Sequence, residues 1–302
     1  MARQVANGHA YEYAIASAFR ERLGCGIAKS AQLARAKDAY TKRKADFQRR
    51  IDSSAHGVCA FLVGVDQRLS QARVLTLQPS ASGKEGDARD IVMDCNGDEV
   101  GLSAKHNHGA MKHPRLSGKI DFGKQWGGCA VSRQYWHAVR PIFADLEKKA
   151  SQGVLFRQIK DKPATIYLPV LNAFEDELRR LCRIHGQGFI KGFFRYLIGR
   201  HDFYKVTCYS HRRQSAIESI NMNGTLPWGT KWRVPENIQS IARQQESQST
   251  LLVTFEGGWQ IKFRLHSASS RVEPSLKFDV GFLGMSRKVG RHTLAIPPLR
   301  GV

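Results

Sequence analysis

At 302 residues the chain is long enough for one large domain or two lobes sharing a core, and 42% hydrophobic against 24% charged residues excludes a disordered polyelectrolyte. Lys and Arg total 47 against 26 Asp and Glu, a formal charge of +21, which exceeds what solubility needs and points to a polyanionic partner. The basic residues are spread over the whole chain, which disfavours a membrane surface as that partner, and no apolar run reaches the length of a membrane span.

The predicted elements begin with an amphipathic helix over Ala10–Leu23, where Tyr11, Ala14, Ile15, Ala18, Phe19 and Leu23 recur at helical spacing before Gly24. A second helix is expected over Ala31–Ile51, with Leu33, Tyr40, Phe47 and Ile51 as a stripe on a Lys- and Arg-rich cylinder. An apolar stretch near Ala60–Val65 and a small, polar loop over Ser80–Gly86 lead to strand signals that start at Asp90. Helical patterns return at Val131–Lys149, Ala173–His185 and Phe189–Ile198. Strands are expected at Phe203–Tyr209, Leu251–Phe255, Trp259–His266 and Leu276–Phe282. A mixed α/β architecture follows, divided into residues 1–150 and 151–302, with one continuous domain as the alternative. The six cysteines form no C-x-x-C pair and the N-terminal stretch has no signal-peptide pattern, so the expectation is a cytoplasmic protein with reduced thiols.

The most informative segment is DIVMDCNGDEVGLSAK, residues 90–105. Asn96-Gly97 between two strand-like runs is a strong hairpin signal. With those two residues as the loop, Cys95 faces Asp98 and Asp90 lies opposite Ser103, on one face with Lys105. Ile91, Met93, Val100, Leu102 and Ala104 fall on the other, apolar face. A carboxylate, a hydroxyl and an ammonium gathered this way suit phosphodiester hydrolysis, in which a hard divalent cation takes oxygen ligands and a Lys serves the attacking water. The bland alternative is a surface hairpin with an inconsequential ion pair.

Asp90 followed by Ser103-Ala104-Lys105 resembles the PD-(D/E)XK nuclease pattern, with Arg89 where Pro is common and Ser103 where an acid is common. The resemblance implies a mixed sheet flanked by helices, Mg²⁺ as cofactor, and catalytic roles for Asp90, Ser103 and Lys105. The serine removes a metal ligand, so a second carboxylate is expected from elsewhere. Glu99 lies about 13 Å along the strand from Ser103, too far to share an ion with Asp90. Glu12, beside the stripe of the first helix, is preferred; Asp121 is next, and Asp87 and Asp94 are weaker. Asp90, Glu12, Ala104 and Asp121 make up the expected metal ligands. The longer runs SAKHNHGAMKHPRLSGKIDFGKQWGG and GWQIKFRLHSASSRVEPSLKFD, with NGHAYEYA near the N-terminus, resemble the HaeIII-type type II restriction endonucleases. That resemblance implies cleavage of short palindromic duplex DNA, GGCC as target, a possible homodimer, and a cognate DNA methyltransferase as functional partner.

His106, Asn107, His108, Lys112, His113, Arg115 and Lys119 form a cationic segment leaving the second strand, where phosphate contact is expected. The HNH tripeptide at 106–108 lacks the spacing of the nuclease family of that name, and a zinc site from His106, His108 and His113 lacks Cys or acid partners. In the C-terminal part, Trp259, Ile261, Phe263 and Leu265 alternate with Gln260, Lys262, Arg264 and His266, so one face is core and the other donor-rich. Such donors suit guanine edges, with Arg271 and Lys277 as secondary contacts. The reading is therefore an Mg²⁺-dependent restriction-type endonuclease with a nuclease core in 1–150 and a β-rich DNA-reading region in 151–302. The rivals are a structure-specific repair or recombination nuclease and a noncatalytic DNA-binding protein.

Overall fold

The computed structural model describes residues 2–79, 86–107 and 110–297; most of the expected Ser80–Gly86 loop, and His108, lie outside them. The chain opens with α1 (Ala2–Leu23), β1 (Gly26–Ile27), α2 (Ala31–Thr41) and α3 (Ala45–Val65), then β2 (Val74–Leu77), β3 (Ile91–Cys95), β4 (Asp98–His106), β5 (Ala110–Lys112) and β6 (Arg115–Ser117). It continues through α4 (Phe122–Gly127), α5 (Arg133–Ser151) and α6 (Leu168–Ile198). The remaining strands are β7 (Phe203–Tyr209), β8 (Gln214–Ile220), β9 (Ile238–Arg243), β10 (Thr250–Phe255), β11 (Trp259–Ser267), β12 (Ser275–Gly284) and β13 (Arg291–Ala295).

These elements form two compact units that interleave in sequence. The first combines Met1–Gly109, Gly199–Arg233 and Lys288–Val302; the second combines Ala110–Ile198 and Val234–Arg287. Neither is one continuous stretch, and residue 150, the expected division, falls inside the second.

The first unit is built on a seven-stranded mixed sheet of order β1-β2-β3-β4-β7-β8-β13. β2, β3 and β4 form an antiparallel meander, and β7 joins β4 in parallel. The alternation read from the sequence decides which face is buried. Ile91, Met93, Val100, Leu102 and Ala104 pack with Ile15 and Phe19 of α1 and with Val58 and Leu62 of α3 in one core. Each fully buried Ile, Leu, Val, Met or Phe side chain among them stabilises by about 1.5–3 kcal/mol.

The expected helix over Ala31–Ile51 is instead two helices. Ser30 caps α2, its hydroxyl accepting from Leu33 N at 3.0 Å, but α2 ends at Thr41 without Gly or Pro. The turn is held by contacts beyond the local pattern: Gln48 Nε2 donates to Tyr40 O at 2.9 Å, and the Tyr40 hydroxyl donates to Asp52 at 2.7 Å. The two helices expected between Ala173 and Ile198 are both parts of α6, interrupted at Gly186, whose φ of +52° and ψ of −137° suit glycine.

The second unit carries a six-stranded antiparallel sheet of order β5-β12-β11-β10-β9, with β6 also on β12. Its core is aromatic: Phe174 lies 4.8 Å from Phe122 and 5.0 Å from Phe278, ring centre to ring centre. Tilted and offset rings at such distances add to the area that they bury. Glu177 joins α6 to α5 by accepting from Ser132 N and Ser132 Oγ, both at 2.7 Å, while Ser132 Oγ caps α5.

Candidate active site

Asn96 and Gly97 close the β3–β4 hairpin with φ of +60° and +99°, as a two-residue turn of this type needs. Asp94 supports the turn by accepting from Gly97 N at 3.0 Å. Cys95 pairs with Asp98, and the register runs unbroken to Ile91 and Leu102, which brings Asp90 beside Ser103. Three donors then converge on one oxygen. Asp90 Oδ2 accepts from Ser103 Oγ at 3.0 Å, from Ala104 N at 2.7 Å and from Lys105 Nζ at 2.9 Å. The expected grouping of Asp90, Ser103 and Lys105 is thus one hydrogen-bonded cluster. Its backbone is fixed too, because Asp90 N donates to Leu102 O at 2.8 Å and Asp90 O accepts from Gln78 N at 2.9 Å.

Arg89, which stands where Pro is common in the nuclease pattern, braces this hairpin. Its guanidinium binds Asp87 and reaches across to Glu99 at 2.8 Å. The stem lies over Gly101, where a Cβ would sit 2.1 Å from Arg89 Cδ. Gly101 is therefore a close-approach glycine, and Asp87, Glu99 and Asp94 are each committed to holding the hairpin. Asp121 caps α4 in the second unit, accepting from Lys124 N at 2.9 Å and Val131 N at 3.2 Å.

Glu12 differs from these acids. It is 8% exposed, with His9 Nδ1 and Gln32 Nε2 each 3.2 Å from Oε2. The hydrogen bond to Glu12 raises His9 above the ordinary histidine value against the opposing effect of burial, and the charge of Asp90 adds to the rise. α1 also reaches the end of β4, where Gln4 Nε2 donates to His106 O at 2.8 Å. His9 and Gln32 were not singled out in the sequence, although His9 stands one helical turn before Glu12 in NGHAYEYA.

The cationic segment after Lys105 needs one correction. His106 is 1% exposed, its Nε2 2.9 Å from Ser210 Oγ and its ring 5.0 Å from that of Phe47, so it is a packed residue and not a phosphate contact. Asn107 turns the chain with φ of +55° and accepts from Ser210 N at 2.8 Å. In the second unit, Lys112 donates to Tyr196 O at 2.8 Å and lies over the Tyr196 ring. Arg115 pairs with Glu273 at 2.5 Å and Lys119 with Glu147 at 3.0 Å.

On β11, Trp259, Ile261, Phe263 and Leu265 are buried, while Gln260, Lys262 and His266 are half-buried and Arg264 is exposed. Lys277, on β12, faces His266 across the register, and Arg264 faces Asp279. Asp279 was overlooked in the sequence. It is paired with His113 Nδ1 at 2.8 Å and His266 Nε2 at 2.9 Å. Burial alone would raise its carboxyl, but these two partners hold it well below the ordinary carboxylate range. Arg271 is exposed beside an isolated bridge to Leu155.

Comparison with known proteins shows the family. The HaeIII restriction endonuclease family model matches residues 8–286, a range that takes in Glu12, the hairpin and the β11–β12 face. The type II restriction enzyme HaeIII of Haemophilus aegyptius is 35% identical over 223 residues, 70% of this chain and 70% of that protein. No solved structure matches. The chain belongs to the HaeIII restriction endonuclease family: it is a type II restriction enzyme, a site-specific deoxyribonuclease that binds and cuts DNA. Among the described residues, no helix is long and apolar enough to cross a membrane, and all six cysteines are free thiols.

Proposed function

We propose that DNA is cut at the Asp90 cluster, on a PD-(D/E)XK-type core, with Mg²⁺ as cofactor. The observation that carries this reading is the convergence of Ser103, Ala104 and Lys105 on Asp90 Oδ2. The antiparallel β2-β3-β4 meander with parallel β7 beside β4 supports the core assignment. Among the described residues, no three His, Cys, Asp or Glu side chains come together as a metal cluster. Mg²⁺ does not require one, because it keeps several waters and takes one or two carboxylates. Asp90 and Glu12 fit that donor set, both being hard oxygen ligands, with the Ala104 main chain adjoining Asp90. Bound there, the ion would polarise the phosphate and lower the pKa of water. Lys105 orients the attacking water and offsets the negative charge that grows on the phosphate. Asp90 in turn holds the Lys105 ammonium in place, and Ser103 and Ala104 N fix the carboxylate. Asp121, committed to capping α4, is the lesser candidate ligand.

The donor-bearing face of β11 and β12 is the proposed reading surface. Gln260, Lys262, Arg264 and Lys277 present donors suited to guanine O6 and N7, consistent with GGCC as target, and His266, held by Asp279, lies on the same surface. His113, Arg115, Lys119, Lys112, Asn107 and Arg271 are proposed to contact backbone. A palindromic target makes a homodimer natural, since protein symmetry then mirrors that of the DNA, and a cognate methyltransferase and a cytoplasmic location complete the proposal.

The test is incubation with unmodified plasmid and Mg²⁺, followed by sequencing of fragment ends. Asp90→Ala is expected to abolish cleavage while DNA binding persists. Purified, folded Asp90→Ala protein that cuts at the wild-type rate would place the reaction elsewhere.

A further inference from the structure

The sheet register carries the cutting face beyond the hairpin. Ser103 is the direct neighbour of Lys205 across the parallel β4–β7 pair, Lys205 is paired with Glu218 across β7–β8, and Glu218 with Arg291 across β8–β13. Residues paired in this way point to the same face of the sheet. Asp90, Ser103, Lys205, Glu218 and Arg291 therefore form one cross-strand row, opposite the apolar face that carries Leu102, Tyr204, Val206 and Ile217. Lys205 is only 4% exposed, and its Nζ donates to Glu218 Oε2 at 2.9 Å.

Such a pair is an expensive way to fill a sheet face, because Lys205 is buried and Glu218 half-buried, taking charges out of water is costly, and apolar residues of similar volume are often as stable. Its position gives it a use. With strands about 4.8 Å apart, Lys205 is one strand from Ser103, whereas Glu218 is about 10 Å from Ser103 and further still from Asp90. Glu218 is thus too distant to share an ion with Asp90. Its partner in the row is the ammonium. The serine at 103 suits this arrangement, since an acid there would stand beside Lys205 and compete with Glu218 for it.

We propose that Lys205 is a positioning residue of the cutting centre: clamped by Glu218 in the row of Asp90 and Ser103, its ammonium supplies fixed positive potential that offsets the charge building on the phosphate during cleavage. A preorganised charge in a low-dielectric site does this without the reorganisation that solvent would need. The proposal rests on the Asp90 cluster being the reaction centre.

The experiment compares Lys205→Met, Lys205→Arg and the double variant Lys205→Met/Glu218→Leu with wild type, each checked by thermal unfolding. Single-turnover plasmid cleavage with Mg²⁺ and DNA affinity are measured on each. Folded Lys205→Met and the double variant are expected to cleave at least about tenfold more slowly, with a much smaller change in Kd, and Lys205→Arg to recover part of the rate. A folded double variant with the wild-type rate, or Lys205→Arg as slow as Lys205→Met, overturns the proposal. If both charge-removing variants lose the fold, Lys205 is structural and the proposal also falls. Asp90→Ala is run alongside: cleavage surviving in that variant indicts the location of the reaction centre, whereas its loss leaves any failure with Lys205 alone.

Discussion

Glu12 is held through one of its two carboxylate oxygens. His9 and Gln32 both approach Oε2, and with an exposure of 8% the carboxylate receives little help from solvent. A cation shared with Asp90 would complete its surroundings, as a buried charge requires. Glu12→Gln keeps the size of the side chain and an acceptor oxygen but removes the anion. Cleavage at limiting Mg²⁺ by the folded variant is expected to fall at least about tenfold, with partial recovery as Mg²⁺ is raised. Wild-type cleavage over the whole Mg²⁺ range would remove Glu12 from the site. Sequence could nominate this residue by its place on the first helix, but not its partners, because Gln32 arrives from another helix.

At the scale of elements, the clamp between α1 and α2 predicts a pH dependence. The folded state raises His9 above its ordinary value of 6.5, chiefly through the hydrogen bond to Glu12. The stability from that pair is fully present below pH 6.5 and is lost as pH rises through the higher, folded value. The stability difference between wild type and His9→Ala, from denaturant melts, should therefore shrink on going from pH 6 to about 8; a constant difference would mean that the charged pair contributes nothing. Legibility at this scale followed locality. The β3–β4 hairpin could be read to the residue because its turn and alternation are local, as could the faces of β11. The break between α2 and α3 could not, since Gln48 and Asp52 hold it from the following helix. His106 could have been placed: the period that buries Leu102 and Ala104 carries His106 to the same face, a signal overridden by its polar neighbours. Lys205 was beyond reach because it needs the pairing of strands far apart in the chain.

For the whole molecule, the charge of +21 sets how DNA is held before it is read. Each phosphate neutralised by Lys or Arg releases counterions, giving a slope of about −0.9 per contact in log K against log salt. Affinity for DNA without a target site is expected to fall steeply between about 50 and 200 mM salt, by a factor of 10³ or more if six or more phosphates are contacted. A shallow slope in a fluorescence titration would show that most of the excess charge serves another purpose. On the proposed reading, the donor face of the second unit serves recognition and the Asp90 row of the first serves chemistry, each on its own sheet. The first unit is gathered from three separate stretches of sequence.

That gathering has a consequence for the protein while it is being made. The hairpin with Asp90 and Lys105 leaves the ribosome early, but strand β7, the neighbour of β4, follows only after the whole segment from Ala110 to Ile198. Domains fold largely as their residues emerge, and pairings between distant segments form slowly because a long loop must first close. The row from Asp90 to Arg291 is complete only once residue 291 has been synthesised. A nascent or prematurely terminated chain therefore carries the hairpin without the assembled face, and Lys205, proposed to serve the cutting centre, can join it only after β7 has been made.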